Sequence, residues 1–161
     1  MINVINSLSL FKLWYFLATG FGIGKKFSFI PVGTVASLVA IPIWWGLVYF
    51  LSYQIYFIFL IFSIVIGIYL CEKINSYIGM HDHQSIVWDE FVGMWVTLTV
   101  IPECSWFWIV VAFLLFRILD IVKPWPISWC DKSIAGGFGI IMDDILAGVV
   151  SIYVILFVMS I

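Results

Sequence analysis

Acidic residues in this apolar chain are concentrated in two short segments. Seven of the nine lie within His81–Glu90 and Asp120–Asp144, and each segment contains two adjacent carboxylates. Carboxylates are costly near lipid, so an apolar chain that clusters them is expected to use them. Without a thiolate partner, such clusters suit hard cations such as Mg²⁺ or Mn²⁺. The sequence predicts a metal site on a membrane protein, and its expected ligands are Asp89, Glu90, Asp143 and Asp144.

The first acidic pair, Asp89-Glu90, precedes a long apolar segment and is expected to begin a helix. Negative charge is favoured there by the helix dipole, so plain helix capping is the alternative to a ligand role. Gly93 lies one turn after Asp89. We expect this small residue to leave room for a metal ion or a phosphate.

The second pair, Asp143-Asp144, is expected to repeat this arrangement at the start of the last helix, Ile145–Ile161. It follows a glycine-rich stretch with glycines at 136, 137 and 139. Helix starts offer unpaired N–H groups to phosphate, and glycine lets a ligand approach the backbone. A plain loop is the alternative interpretation of these glycines.

Two basic residues near the second acidic segment are candidates for binding phosphate. Arg117, Asp120 and Lys123 follow one another at three-residue spacing, which predicts one shared helical face that ends before Pro124. Arg117 offers a bidentate fork and Lys123 a point charge. A structural salt bridge of Asp120 with its neighbours is the alternative.

The polar stretch His81-Asp82-His83 supplies candidates for a general base. Asp82 is favoured over the histidines as the group that activates water, with a solvated loop as the alternative. The chain contains no Cys-x5-Arg loop, no Asp-x-Asp motif and no Gly-x-Ser-x-Gly elbow. If the reaction is a hydrolysis, the remaining nucleophile is water activated by a metal ion.

Composition places these residues in a membrane protein. The 161 residues are 65% hydrophobic and 10% charged, with a mean hydropathy of +1.20, whereas soluble domains are about a quarter charged. No basic stripe suggests nucleic acid, and the three cysteines lack zinc or disulfide spacing. We expect a single domain over residues 1–161, of which residues 1–18 are peripheral and include an amphipathic surface helix near Leu10–Leu17.

The uncharged segments predict an all-α, polytopic bundle of about four to five membrane helices. The 45 uncharged residues between Lys26 and Glu72 suit a hairpin of helices near Thr34–Leu51 and Ile55–Leu70. Phe91–Phe116 is either one span or a hairpin that turns at Pro102-Glu103-Cys104. Only the hairpin puts all seven Lys and Arg residues on one side, which the positive-inside rule makes cytoplasmic. The same topology brings Thr19–Thr34 and both acidic segments to that face.

Several of these stretches closely resemble the phosphatidylglycerophosphatase A family. The resemblance runs from about Ala18 to the C-terminus. Its motifs are Ile86-Val87-Trp88-Asp89-Glu90-Phe91-Val92-Gly93, Phe116-Arg117 with Asp120, Lys123-Pro124-Trp125-Pro126-Ile127, and Gly139-Ile140-Ile141-Met142-Asp143-Asp144-Ile145 with Ala147-Gly148. It implies a Mg²⁺-dependent enzyme of the bacterial inner membrane that hydrolyses phosphatidylglycerophosphate to phosphatidylglycerol and phosphate. One segment departs from the family's Pro-Gly-Thr-x-Gly-Ser-Leu pattern, because Val32-Gly33-Thr34-Val35-Ala36-Ser37-Leu38 stands there.

Other functions remain open at this stage. A small lipid kinase or a phosphatidyl-transferring enzyme would also use Mg²⁺, although the pattern Asp-Gly-x2-Ala-Arg of CDP-alcohol transferases is absent. A divalent-cation carrier is the non-enzymatic alternative, but carrier sites lie near mid-membrane and these acids are expected at helix ends. The sequence does not indicate an oligomeric state.

Overall fold

The protein is described here by a computed structural model that covers residues 11–23, 31–78, 85–102 and 105–161. Within these ranges residues 11–18 form helix α1. The later helices are α2 (Val32–Phe50), α3 (Tyr53–Ile78), α4 (Trp88–Leu98), α5 (Trp106–Val122), α6 (Ile127–Ser133) and α7 (Gly136–Met159). The predicted all-α class is confirmed.

Three of the described helices are long and apolar enough to cross a membrane, namely α2, α3 and α7. The outer face of α3 carries an exposed apolar stripe at helical spacing, formed by Ile58, Ile61, Phe62, Val65 and Tyr69. Such a stripe suits contact with lipid tails rather than with water. The chain is a helical membrane protein.

The ambiguous segment Phe91–Phe116 forms a hairpin, as the charge distribution favoured. Helix α4 ends at Leu98 and α5 begins at Trp106, so the chain turns around Pro102. With 11 and 17 residues, both arms are shorter than the roughly 20 residues of a full span. They complete the bundle between the three longer helices.

The last helix begins earlier than the sequence predicts. Helix α7 starts at Gly136 rather than Ile145, so the glycine-rich stretch is its first turn and the Asp143-Asp144 pair lies two turns inside it. Glycine weakens a helix by about 1 kcal/mol per residue, and that weakness made a loop the expected structure. Close packing against α3 allows the helix to form here.

Helix α4 is the centre of the bundle and is surrounded by α2, α3, α5 and α7. Nine of its eleven residues are buried. Two hydrogen bonds hold it to its neighbours, because the Tyr56 hydroxyl donates to the carbonyl of Trp95 (2.7 Å) and the Trp95 indole N–H donates to the carbonyl of Ala40 (3.0 Å). Polar groups in an apolar bundle must find such partners inside the protein.

Helix α1 packs beside the start of α4. The N–H of Val87 donates to the carbonyl of Ala18 (2.9 Å), and the Phe11 ring stacks on Tyr77 at 4.0 Å. The helix agrees with the amphipathic segment expected near Leu10–Leu17, of which Leu10 lies outside the described residues. Its place at the membrane surface and the single-domain organisation stay predictions.

The helices run antiparallel, so two distinct ends can be defined. Helices α2, α4 and α7 begin at the end where α3 and α5 finish, and Gly33, Glu90 and Arg117 meet there. At the opposite end the rings of Trp45 and Trp106 lie 5.6 Å apart, and tryptophan is enriched at membrane interfaces. The described parts of the three polar segments therefore converge, as predicted.

Contact between α3 and α7 depends on Gly137. A Cβ at this position would clash with the backbone carbonyl of Ile68 and lie 2.5 Å from the backbone N of Glu72. We expect Gly137→Ala to destabilise the protein by about 1–3 kcal/mol, because two backbones must separate. Thermal unfolding in detergent measures the effect.

Gly46→Ala is the matched control, since a Cβ at Gly46 in α2 meets nothing within 4 Å. That variant should unfold at the wild-type temperature or above, because alanine favours the helix. A Gly137→Ala protein as stable as Gly46→Ala would contradict the packing argument.

Candidate metal centre

Carboxylates from three helices meet at one end of the bundle. Oxygens of Asp89, Glu90 and Asp144 lie within 4.8 Å of one another, and so do oxygens of Asp120, Asp143 and Asp144. Such distances allow three carboxylates to coordinate one cation. The structure therefore brings together the four predicted ligands and adds Asp120.

The two acidic pairs reach this site in different ways. Asp89 and Glu90 lie in the first turn of α4, as predicted, and Asp89 Oδ1 accepts the N–H of Glu90 (3.0 Å). The expectation that Asp143 and Asp144 begin a helix is wrong. Asp144 is eight residues into α7, which corresponds to about 12 Å along its axis. The site thus lies about two turns inside the bundle, measured from the start of α7.

The carboxylates are buried without enough protein partners. Asp143 is 5% exposed and Asp144 is 4% exposed. In the described part of the chain, Glu90 Oε2, Asp143 Oδ1 and Asp144 Oδ2 are buried and have no hydrogen-bond partner. A buried charge without a partner is strongly unfavourable. Bound cations would supply the missing partners of these oxygens.

Arg117 lies beside the carboxylates on α5. Its Nη1 donates to Asp120 Oδ2 at 2.7 Å, so the salt bridge expected as the structural alternative exists. The Arg117 Nε is buried and has no partner among the described residues. Arg117 therefore retains a donor that can face an anionic ligand.

Lys123 is placed differently from the prediction. It is the first residue after α5, adopts a left-handed conformation (φ 44°), and does not continue the helical face of Arg117 and Asp120. Its ammonium contacts Asp143 and Asp131, the latter at 2.8 Å. Burial opposes its charge, but the hydrogen bonds and the charges of these two aspartates prevail and raise the pKa of Lys123 above its ordinary value.

Gly93 does not leave room for a ligand, which corrects the prediction. A Cβ there would meet the Phe116 ring at 2.6 Å and the backbone oxygen of Asp144 at 2.8 Å. Gly148 on α7 likewise approaches the carbonyl of Gly93. The glycine serves close packing of α4 on α7, and this packing places Asp89 near Asp144.

The start of α7 is not a phosphate site either. The N–H of Gly137 donates to Glu72 Oε2 at 2.7 Å, so a carboxylate of α3 already occupies the helix N-terminus. A Cβ at Gly136 (φ +80°) would also meet that oxygen at 2.7 Å. These glycines leave space for Glu72 at the start of α7, and its carboxylate takes the place that a phosphate would need.

Two predictions about site residues have different outcomes. Asp82, with His81 and His83, lies outside the described residues, so the general base stays a prediction. Asp120 was interpreted only as a salt-bridge partner. Its three-residue spacing from Arg117 placed both on the correct face, but proximity to Asp143 and Asp144 depends on how α5 packs against α7.

Gly33 lies against the site from α2. A Cβ there would clash with Glu90 Oε1 and lie 3.0 Å from Arg117 Nη2. Because both atoms end flexible side chains, we expect Gly33→Ala to fold but to displace Glu90. Mn²⁺ binding, measured by titration in detergent, should weaken about tenfold. Gly46→Ala is the control, and unchanged binding by Gly33→Ala would contradict this geometry.

The chain is similar to known proteins over most of its length. The family model described as Phosphatidylglycerophosphatase A matches residues 16–159. A protein named Phosphatidylglycerophosphatase A from Escherichia coli (strain K12) is 50% identical, over 90% of this chain and 83% of its own length. One of the same name from Haemophilus influenzae is 42% identical, over 95% and 93%.

A further relative, from Bacteroides thetaiotaomicron, carries the provisional name phosphatidylinositol-3-phosphatase. It is 38% identical, over 86% of this chain and 89% of its own. No solved structure shows a significant match to the chain. The family match covers nearly the whole chain, and the chain therefore belongs to the phosphatidylglycerophosphatase A family and is a phosphatase, a phosphoric monoester hydrolase.

Proposed function

We propose that this protein is a Mg²⁺-dependent phosphatase that hydrolyses phosphatidylglycerophosphate to phosphatidylglycerol and phosphate. The observation that carries the proposal is the buried carboxylate group around Asp144, in a helical membrane protein of this family. The names of the Escherichia coli and Haemophilus influenzae relatives support the substrate.

The donor set supports Mg²⁺ as the cation. Only carboxylate oxygens converge in the described part of the site, and hard cations prefer such ligands. Asp89, Glu90, Asp143 and Asp144 would hold one or two Mg²⁺ ions in this proposal. Bound Mg²⁺ would polarise the phosphoryl group and acidify water. The four carboxylates project from helices that pack through glycine contacts, and this packing sets their positions.

The basic residues bind the phosphoryl group of the substrate. Arg117 is held by Asp120 through Nη1, and its Nε, which has no partner among the described residues, is available to the anion. Lys123 uses two of its three ammonium donors on Asp131 and Asp143, which leaves one for phosphate. Both charges stabilise the negative charge on the phosphoryl oxygens while the alcohol leaves.

Water is the nucleophile, and Asp82 accepts its proton in this proposal. In-line attack forms the new P–O bond as the bond from phosphorus to the glycerol oxygen breaks. That oxygen takes up a proton from solvent, and the resulting phosphatidylglycerol keeps its acyl chains in the bilayer. Exposed aromatic side chains near the site end, Trp125 and Trp129, suit the level of the lipid headgroups. A lipid phosphomonoester can therefore reach the site without leaving the membrane.

The proposed location is the bacterial inner membrane, with the site facing the cytoplasm. The described basic residues all belong to the site end of the bundle and are Lys12, Lys73, Arg117, Lys123 and Lys132. Positive charge is enriched on the cytoplasmic side of membrane proteins. This asymmetry supports the orientation.

The function is tested by phosphate release from phosphatidylglycerophosphate in mixed micelles. We expect release with Mg²⁺, none with EDTA, and a loss of about a hundredfold or more in Asp144→Asn, because the shared carboxylate is removed. Phosphatidic acid and phosphatidylinositol 3-phosphate serve as comparison substrates. Faster release from either one would contradict the assigned substrate, and full activity in EDTA would contradict the metal.

The orientation is tested by cysteine labelling with a membrane-impermeant maleimide in a Cys104→Ser background. The native Cys71 and Cys130 are buried. Lys132→Cys, beside the start of α7, should react only after the cells are opened. Ser160→Cys, at the other end of α7, should react in intact cells. The reverse pattern would place the site on the outer face.

A further inference from the structure

The five carboxylates of the site form two groups that share one residue. Asp89, Glu90 and Asp144 make the first group, and Asp120, Asp143 and Asp144 make the second. Within each group the oxygens are close enough for one cation. Asp144 has two oxygens and lies between the groups, so it can serve both.

Unpartnered buried oxygens are found in both groups. Glu90 Oε2 belongs to the first group, Asp143 Oδ1 to the second, and Asp144 Oδ2 to the shared residue. Asp143 and Asp144 are each more than nine-tenths buried. A single cation in the first group would leave Asp143 Oδ1 without a partner, at the cost of a buried unsatisfied charge.

The two basic residues both act on the second group and leave part of it available. Arg117 contacts Asp120 through Oδ2, and Lys123 contacts Asp143 through Oδ2. Asp143 Oδ1 is the oxygen without a partner. Each cationic side chain thus orients a carboxylate by one oxygen, which is how supporting residues fix ligands in metal sites.

Charge also favours a second ion. The five carboxylates and Asp131, opposed by Arg117 and Lys123, carry a formal charge of −4. One divalent cation would leave −2, which repels a phosphate monoester. Two would cancel the charge and remove that repulsion. Hydrolases that act on phosphates commonly hold two ions about 4 Å apart, and such ions stabilise both the attacking and the leaving oxygen.

We propose that the chain holds two divalent cations, with Asp144 as the shared ligand and with Asp120 and Asp143 completing the second position. This inference rests on the metal site of the proposed function and specifies its ligands. Asp120 is then a ligand as well as the partner of Arg117. Each ion then has three carboxylate ligands from the chain, and Asp144 is common to both ions.

Mn²⁺ is the probe, and its binding does not depend on activity. We expect the purified protein in detergent to bind two Mn²⁺ per chain, counted from the free Mn²⁺ signal in electron paramagnetic resonance. The bound ions should give a spin-coupled spectrum at low temperature, since they are close together. One Mn²⁺ per chain, or two without coupling, would overturn the proposal.

Two variants test the assigned ligands. Asp120→Asn and Asp143→Asn should each bind one Mn²⁺ and lose the coupled spectrum, while retained binding of the first ion shows that the protein is folded. Asp131→Asn is the matched control, because it removes a carboxylate that pairs with Lys123 but belongs to neither group. It should keep two coupled ions. Coupling that persists in both Asp120→Asn and Asp143→Asn would also overturn the proposal.

The same preparation separates this inference from the proposed function. Mg²⁺-dependent release of phosphate from a protein that binds one Mn²⁺ would overturn the second ion and leave the function intact. Two coupled Mn²⁺ without phosphate release would support the ion pair and contradict the assigned substrate.

Discussion

Five carboxylates held together inside an apolar bundle are the constraint on which this structure depends. The charged form of such a cluster is unfavourable, because burial removes the solvation of each carboxylate and their proximity adds repulsion. Arg117 and Lys123 offset part of the repulsion through contacts with Asp120 and Asp143. One oxygen each of Glu90, Asp143 and Asp144 is buried and has no partner among the described residues. That imbalance is the basis of the cation site that we propose.

Glycines at the helix contacts are the second requirement, because the carboxylates meet only if the helices approach closely. Gly93 and Gly148 let α4 and α7 pack backbone against backbone, and Gly137 does the same for α3 and α7. Small residues at helix contacts are typical of membrane bundles, where no hydrophobic effect drives the helices together. Gly33 differs in facing the side chains of Glu90 and Arg117. The same glycines therefore determine both how the helices pack and where the carboxylates lie.

The central position of α4 connects this packing to the chemistry. It is too short to span a bilayer alone, yet almost all of it is buried among longer helices. Its first turn presents Asp89 and Glu90 at the level that Asp144 reaches two turns inside α7. A helix can carry charge at this depth only where other helices shield the charge from lipid. The short α4–α5 hairpin thus contributes side chains to the site from the start of α4 and the end of α5.

The class of protein and four of the five clustered carboxylates could be predicted from the sequence, which also favoured the hairpin at Phe91–Phe116 over a single span. Long uncharged segments, the distribution of basic residues and paired acids are local patterns, and each has one dominant physical cause. Tertiary structure decided where α7 begins, what the glycines contact and that Asp120 joins Asp143 and Asp144. Helix propensity favours a loop at Gly136–Gly139, because glycine weakens a helix. The packing that stabilises a helix there comes from α3, which is distant in the sequence. The shared position of Asp144 likewise exists only once α4, α5 and α7 are packed together.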